Sequence, residues 1–200
     1  MNDKIIQFDV DGVLANFMAG FVELSHCFYK KRPELIASWD WDKGYLSFKE
    51  RMEIWESINN SPSFWFTLPC LLNQAEKDAL LLLAEKHTVY FVTNRQRKGI
   101  RVKQQTEDWL RCNVGIENPT VILTKFKGDT AKAIGADYAI DDKPENAWCM
   151  SWLSPDTKSY LLNKPYNQYN DASIGSHKIT RVGSVGDFIR IVNEESEERI

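Results

Sequence analysis

Asp9 and Asp11, in Asp9-Val10-Asp11-Gly12-Val13, follow directly on the apolar run Ile5-Ile6-Gln7-Phe8. In an extended chain, side chains two residues apart point to the same side. A strand that continued through this pair would therefore project both carboxylates into one small site. Like charges a few ångströms apart cannot both stay ionised cheaply, and a divalent cation is the direct remedy. Gly12 adds a residue that can turn at positive φ and bring backbone close to a ligand. Asp-x-Asp-Gly alone is equally the composition of a surface turn, so its position and its downstream partners must decide.

Three further groups follow apolar runs in the same way. Thr93 and Asn94 come after Phe91-Val92 and offer a hydroxyl and an amide as donors to an anionic oxygen. Lys127, beyond Val121-Ile122-Leu123 and just before a helix start, offers a point positive charge. Asp141 and Asp142, after Tyr138-Ala139-Ile140, offer more oxygen ligands of the kind magnesium prefers. Taken singly, each has an ordinary reading as a turn, a solvated lysine or a helix cap. All four in this order, each at the end of an apolar run, point to phosphate chemistry around one cation.

The elements that must position these groups are legible as β-like runs at 4–8, 88–92, 120–123, 137–140 and 158–162. Between them the spacing predicts helices over about 14–31, 98–111, 144–151 and 184–194. Asn73 with Glu76 three residues on marks the N-terminus of another helix, reaching Lys86. Strands alternating with helices predict an α/β fold, a parallel sheet covered on both faces. Ligands of such sheets bind beyond the carboxyl ends of the strands. Residues 32–69 break the alternation with Pro33, Pro62 and Pro69 and a crowd of aromatics: Trp39, Trp41, Tyr45, Phe48, Trp55, Phe64, Trp65 and Phe66. Phe48, Met52 and Trp55 recur at helical steps, so the stretch reads as a small, mostly helical insertion. The acidic tail from Glu194 to Glu198 reads as a solvated, fraying end.

These residues resemble the haloacid dehalogenase-like phosphohydrolase superfamily, with Asp9-Val10-Asp11-Gly12-Val13, Thr93-Asn94, Lys127 and Asp141-Asp142 in the places of its four motifs. Asp9 to Phe17, Ile54-Trp55-Glu56-Ser57, Ser63 to Leu68 and Ile122 to Lys143 look most like the small 5′(3′)-deoxyribonucleotidases. The resemblance implies a Rossmann-like core over 1–31 and 70–200, with 32–69 as a small helical cap. It implies a Mg²⁺-dependent phosphatase of nucleoside monophosphates that works through an aspartyl-phosphate on Asp9, with Asp11 as general acid and base. Asp9, the Asp11 backbone carbonyl and the Asp141-Asp142 pair would hold the metal, and which of the last two binds directly stays open. Thr93, Asn94 and Lys127 would bind the phosphate, and Phe17, Trp39, Trp41 and Trp55 the leaving group. The aromatics of 32–69 could equally form only the core of the cap. Arg95 departs from the family pattern, in which a serine often follows the threonine. Another small phosphate ester, a nucleic-acid phosphate end, or a non-catalytic domain that binds a phosphorylated ligand are the alternatives.

Composition is that of an ordinary globular protein: 200 residues, 43% hydrophobic, 26% charged and a net charge of −3. That balance argues against a general polyanion binder such as a nucleic-acid protein. Cys27, Cys70, Cys112 and Cys149 are too scattered for a zinc site or disulfide framework, which makes a reducing cytoplasm the expected setting. His26, His87 and His177 give no support to a Ser-His-Asp or Cys-His mechanism. Neither a secretion signal nor a membrane span is expected. Oligomeric state stays open, a homodimer included.

Overall fold

The computed structural model describes residues 3–95, 98–168 and 179–197. Its strands are β1 (Ile5–Phe8), β2 (Thr88–Thr93), β3 (Thr120–Leu123), β4 (Tyr138–Asp141), β5 (Lys158–Leu162) and β6 (Ile179–Val182). They form one parallel sheet in the order β3-β2-β1-β4-β5-β6, as the alternation in the sequence predicts. The register sets Phe8 opposite both Phe91 and Ile140, and Thr93 opposite Leu123. Residues just past β1, β2 and β4 therefore emerge side by side at one edge. β6 was not foreseen as a strand. It has four residues with Thr180 and Arg181 at its centre, too short and polar for an apolar run to stand out.

The helices are α1 (Phe17–Tyr29), α2 (Trp41–Tyr45), α3 (Phe48–Asn60), α4 (Gln74–Lys86), α5 (Val102–Asn113), α6 (Lys127–Ile134), α7 (Pro144–Leu153) and α8 (Val185–Glu197), with a 3-10 turn at Pro165–Asn167. Asn73 and Glu76 do form a capping box on α4, each side chain accepting the other's amide at 3.0 Å. α1 begins later than the spacing predicts because residues 14–16 are otherwise engaged. Leu14 O accepts from Leu71 N, and Asn16 N donates to Pro69 O, both at 2.8 Å, while Asn16 Oδ1 caps the helix through Ala19 N. The tail is not frayed over its described part: α8 runs to Glu197, and Glu195 accepts from Lys158 Nζ at 2.6 Å and Tyr138 OH at 2.9 Å. Glu198 lies outside the described residues.

Alternate side chains of the strands face opposite layers, as a doubly covered sheet requires. Ile6 and Phe8 join Ile140, Tyr160, Leu80 and Leu83 of α4 and Phe188 and Val192 of α8 in the main core. Phe188 meets Phe8 edge-on at 5.2 Å and Tyr160 at 5.1 Å. On the other face Ala139 packs with Ala131 of α6 and Met150 of α7, and Leu161 with Ala147 of α7.

The chain leaves the sheet after residue 16 and returns at 69–71 beside its point of departure. α1 packs against α3 within this excursion. α3 starts with a Ser47–Glu50 capping box, but the face it buries is not the expected one. Ile54 and Ile58 are fully buried and Trp55 is half-buried, whereas Phe48 is 71% exposed and Met52 52% exposed. Ile54 and Ile58 extend the apolar stripe of this helix to one side of Trp55, and Phe48 and Met52 to the other, so spacing alone did not choose a face. The core is continuous from Phe8 to Ile54. Among the described residues no helix is long and apolar enough to cross a membrane.

Phe188→Ala is expected to lower unfolding free energy by about 3–5 kcal/mol, because its ring joins α8 to two strands. Leu82→Ala, at a 57% exposed position, should stay within about 0.5 kcal/mol. Urea melts of the two variants test the assignment of this core.

Candidate active site

Asp9 is the first residue past β1, and its amide donates to Ile140 O at 3.0 Å, which locks it to the end of β4. Asp141 closes β4 and Asp142 follows it. Carboxylate oxygens of Asp9, Asp141 and Asp142 lie within 4.8 Å of one another, and all three residues are buried. Lys127, the first residue of α6 rather than a residue ahead of it, reaches Asp9 Oδ1 at 2.7 Å and Asp141 Oδ2 at 2.9 Å. Asp141 Oδ1 accepts from Lys143 N at 2.9 Å and Asn146 Nδ2 at 3.0 Å. Asp142 differs: Oδ2 accepts from Tyr166 OH, its main-chain oxygen accepts from Asn167 Nδ2 at 2.8 Å, and Oδ1 is buried with no partner.

Gly12 turns at φ +86, and a Cβ there would stand 2.0 Å from Asp142 Oδ2. The glycine is thus required both by the turn and by the approach of β1's loop to β4's loop. Asp9 and Asp11 both precede this turn and both line one cavity, but their carboxylates meet different partners. Among the described residues the buried carboxylate trio excludes Asp11. The Asp11 carboxylate instead meets Thr93 Oγ1 at 3.0 Å and the Arg95 guanidinium at 2.8 Å. Its charge is balanced by an arginine.

Burial first, then Asp141, pushes the Asp9 carboxyl well above its usual range, with Lys127 opposing. Burial and then Asp141 push Asp142 up to about 7, against the hydrogen bond from Tyr166. Burial alone would lower Lys127, but Asp141 and Asp9 outweigh it and hold the ammonium above its ordinary value. One lysine therefore bridges two of the three carboxylates, and one buried oxygen of the third lacks a partner. An all-oxygen donor set with this deficit of positive charge fits a hard divalent cation such as Mg²⁺.

Above the trio lies a cavity of about 330 Å³ lined by Asp9, Asp11, Thr93, Asn94, Lys127, Lys143 and Asn146 on the polar side and Phe17, Trp39, Trp55 and Trp65 on the aromatic side. Phe17 stacks near-parallel with Trp55 at 5.6 Å, Trp65 at 5.7 Å and Trp39 at 6.4 Å. Lys143 Nζ sits 3.8 Å above the Trp39 ring. Of the sequence-derived candidates, Trp41 is not brought to this cavity. It packs edge-on against Phe21 at 6.0 Å and points its indole nitrogen at Met18 Sδ, because α2 turns that face toward α1. Thr93 is fully buried with its hydroxyl engaged by Asp11, whereas Asn94 is exposed toward the cavity.

Sequence reasoning did not select Trp65, Lys143, Asn146 or Tyr166. Lys143 and Asn146 sit one and four residues past Asp142, where the start of α7 folds them back over Asp141. Tyr166 comes from the turn after β5, and the rule that ligand sites gather past strand ends would have pointed there.

A family model described as 5′ nucleotidase, deoxy (pyrimidine), cytosolic type C protein matches residues 3–188. No curated protein matches the chain. Similar solved structures include a haloacid dehalogenase-like hydrolase from Burkholderia xenovorans LB400, with TM-score 0.59, 12% identity, and coverage of 97% of this chain and 98% of the other. Another, from Bacteroides fragilis, has TM-score 0.60 and 12% identity over 94% and 100%. A HAD family hydrolase from Deinococcus radiodurans R1 with bound phosphate and sodium has TM-score 0.56 and 13% identity over 98% and 96%. At such identities the likeness is one of fold.

The raised Asp142 carboxyl makes a prediction about the metal-free protein. Its folded value of about 7 lies above the ordinary 3.8, so its contribution is fully present below the ordinary value and lost as pH rises through 7. Without divalent metal, the thermal midpoint should therefore fall between pH 5 and pH 8. Asp142→Asn should flatten that fall and raise the midpoint at pH 8, at about 2–4 °C per kcal/mol for a chain of this size. An unaltered slope in the variant would contradict the assignment.

Proposed function

The chain belongs to the 5′ nucleotidase, deoxy (pyrimidine), cytosolic type C family and is a phosphoric monoester hydrolase of the nucleotidase type; on that premise we propose that it dephosphorylates nucleoside monophosphates, deoxyribonucleotides foremost, through a phosphorylated Asp9. The observation that carries this reading is the buried trio of Asp9, Asp141 and Asp142 with one bridging lysine, of which Asp9 and Lys127 line an aromatic-walled cavity.

Lys127 and the Val10 amide, at 2.7 Å each, hold Asp9 Oδ1 and orient the carboxylate for attack. In the first step an Asp9 oxygen bonds to phosphorus, the bond from phosphorus to the ester oxygen breaks, and that oxygen takes a proton from the Asp11 carboxyl. In the second step a water oxygen bonds to phosphorus, the Asp9 acyl phosphate breaks, and the Asp11 carboxylate takes the water's proton. The sum is ester plus water to alcohol plus inorganic phosphate. Asn94 and Lys127 donate to the phosphoryl oxygens, and Thr93 supports Asp11.

The Asp9 and Asp142 carboxylates, with the Asp11 main-chain carbonyl, would hold Mg²⁺. Asp142 is preferred to Asp141 because both Asp141 oxygens already accept hydrogen bonds while Asp142 Oδ1 accepts none. Bound there, the cation supplies positive charge that keeps Asp9 ionised and offsets its repulsion from an anionic phosphate. Residues 32–69, joined by α1, act as a cap, and the faces of Phe17, Trp39, Trp55 and Trp65 stack on the base of the leaving nucleoside.

Phosphate release from a panel of deoxynucleotides, ribonucleotides and sugar phosphates tests this. Deoxynucleotides should be the best substrates, with activity lost on chelation and in Asp9→Asn. Trp55→Ala should lower kcat/KM for nucleotides about 10- to 100-fold, matching about 1–3 kcal/mol of base stacking, and leave sugar phosphates little changed. Full turnover by Asp9→Asn would rule out the covalent route, and equal rates across the panel would rule out base stacking.

A further inference from the structure

Arg95 follows Thr93-Asn94 directly, and its side chain is fully buried. Its Nε lies 3.0 Å from Asp11 Oδ2 and 3.3 Å from Oδ1, while Nη2 lies 2.8 Å from Oδ1. Nη1 donates to Thr106 Oγ1 of α5 at 2.8 Å, and that hydroxyl donates in turn to Val102 O at 2.7 Å. The guanidinium face lies on the Trp65 ring, 4.7 Å from its centre. One edge of the cation is thus on Asp11, the opposite corner on α5 and the flat face on the aromatic wall. Such a bracket needs a planar fork, which lysine cannot supply. Trp65 is itself fastened to α5, its amide donating to Gln105 Oε1 at 2.9 Å.

Building on the phosphatase reading above, we infer that Arg95 is a positioning residue that sets the orientation of the Asp11 carboxyl for both proton transfers. It does not touch substrate, because no part of its side chain is accessible. With Thr93 Oγ1 on Oδ2, three donors fix the rotation of the carboxyl plane. A proton donor and acceptor used twice per turnover must meet the ester oxygen and then the water from one place. Misplacement by about 1 Å can lower such rates about 100-fold. Asp9 is tied to the end of β4 by its amide, whereas Asp11 stands farther past β1, beside the turn at Gly12. The second motif compensates: Thr93 and Arg95, two residues apart at the end of β2, both reach back to this one carboxylate.

The test is a double-mutant cycle read with two substrates, a deoxynucleoside monophosphate and p-nitrophenyl phosphate. Arg95→Lys keeps the buried positive charge and with it the fold, which a thermal melt checks; Arg95→Gln is the harsher companion. Each is combined with Asp11→Asn. The nucleotide's alkoxide needs a proton to leave, so Arg95→Lys should lower its kcat about 100-fold with KM little changed. Nitrophenolate leaves without one, so the variant should release about one nitrophenolate per active site in a burst and then turn over slowly, since water activation is impaired. In the Asp11→Asn background, losing Arg95 should have no further effect on turnover. Equal losses on both substrates without a burst, or losses that multiply in the double variant, would assign Arg95 to folding only and overturn the proposal. Failure of the phosphatase reading is distinguishable, because the unsubstituted enzyme would then release phosphate from neither substrate.

Discussion

The repulsion among Asp9, Asp141 and Asp142 is the constraint around which the rest of this molecule is arranged. Three buried carboxyl groups sit within 4.8 Å of one another, and one lysine, Lys127, bridges two of them. In isolation such a cluster would open the sheet edge it stands on, since buried charge is tolerated only when paired and hydrogen-bonded. The fold meets this with donors from three different loops: Lys127 from the start of α6, Lys143 N and Asn146 from the start of α7, and Tyr166 from the turn after β5. What these donors leave over is one unpartnered oxygen and an excess of negative charge, a donor set that suits a cation.

That capacity depends on rigid backbones on both sides. Phe8, the residue before Asp9, is clamped by Phe91, Ile140 and Phe188, so the main core holds the backbone that carries Asp9. Over the cavity, the near-parallel stack of Trp65, Phe17 and Trp55 makes the wall from the excursion between residues 16 and 70. α5 ties wall and floor together: Gln105 holds the Trp65 amide, Trp109 Nε1 donates to Leu68 O at 2.7 Å, and Thr106 holds Arg95. Shifts of the wall and of the Asp11 carboxylate are therefore mechanically linked.

Much of this was readable from residue order. Five of the six strands and the Asn73 capping box stand out because apolar runs and cap spacings are local signals. Asp9, Thr93, Asn94, Lys127, Asp141 and Asp142 could be picked out because each follows such a run. The misses share a cause. Phe48 and Met52 were expected on a buried face and are exposed, Trp41 was expected at the substrate and packs on Phe21, and β6 was overlooked. In each case the outcome depends on what lies opposite in space, which no local spacing encodes.

The sequence by itself determined the parallel α/β architecture, the acidic and basic groups at the strand ends, and the crowd of aromatics between the first two strands. These follow from periodicity and from residue chemistry. Only the tertiary structure decided which charge answers which. The order of strands delivers the Asp11 carboxylate to Arg95 and leaves Asp142 as the carboxylate with an oxygen to spare. Pairing between charges more than eighty residues apart is set by the order of strands in the sheet and by the path of each loop.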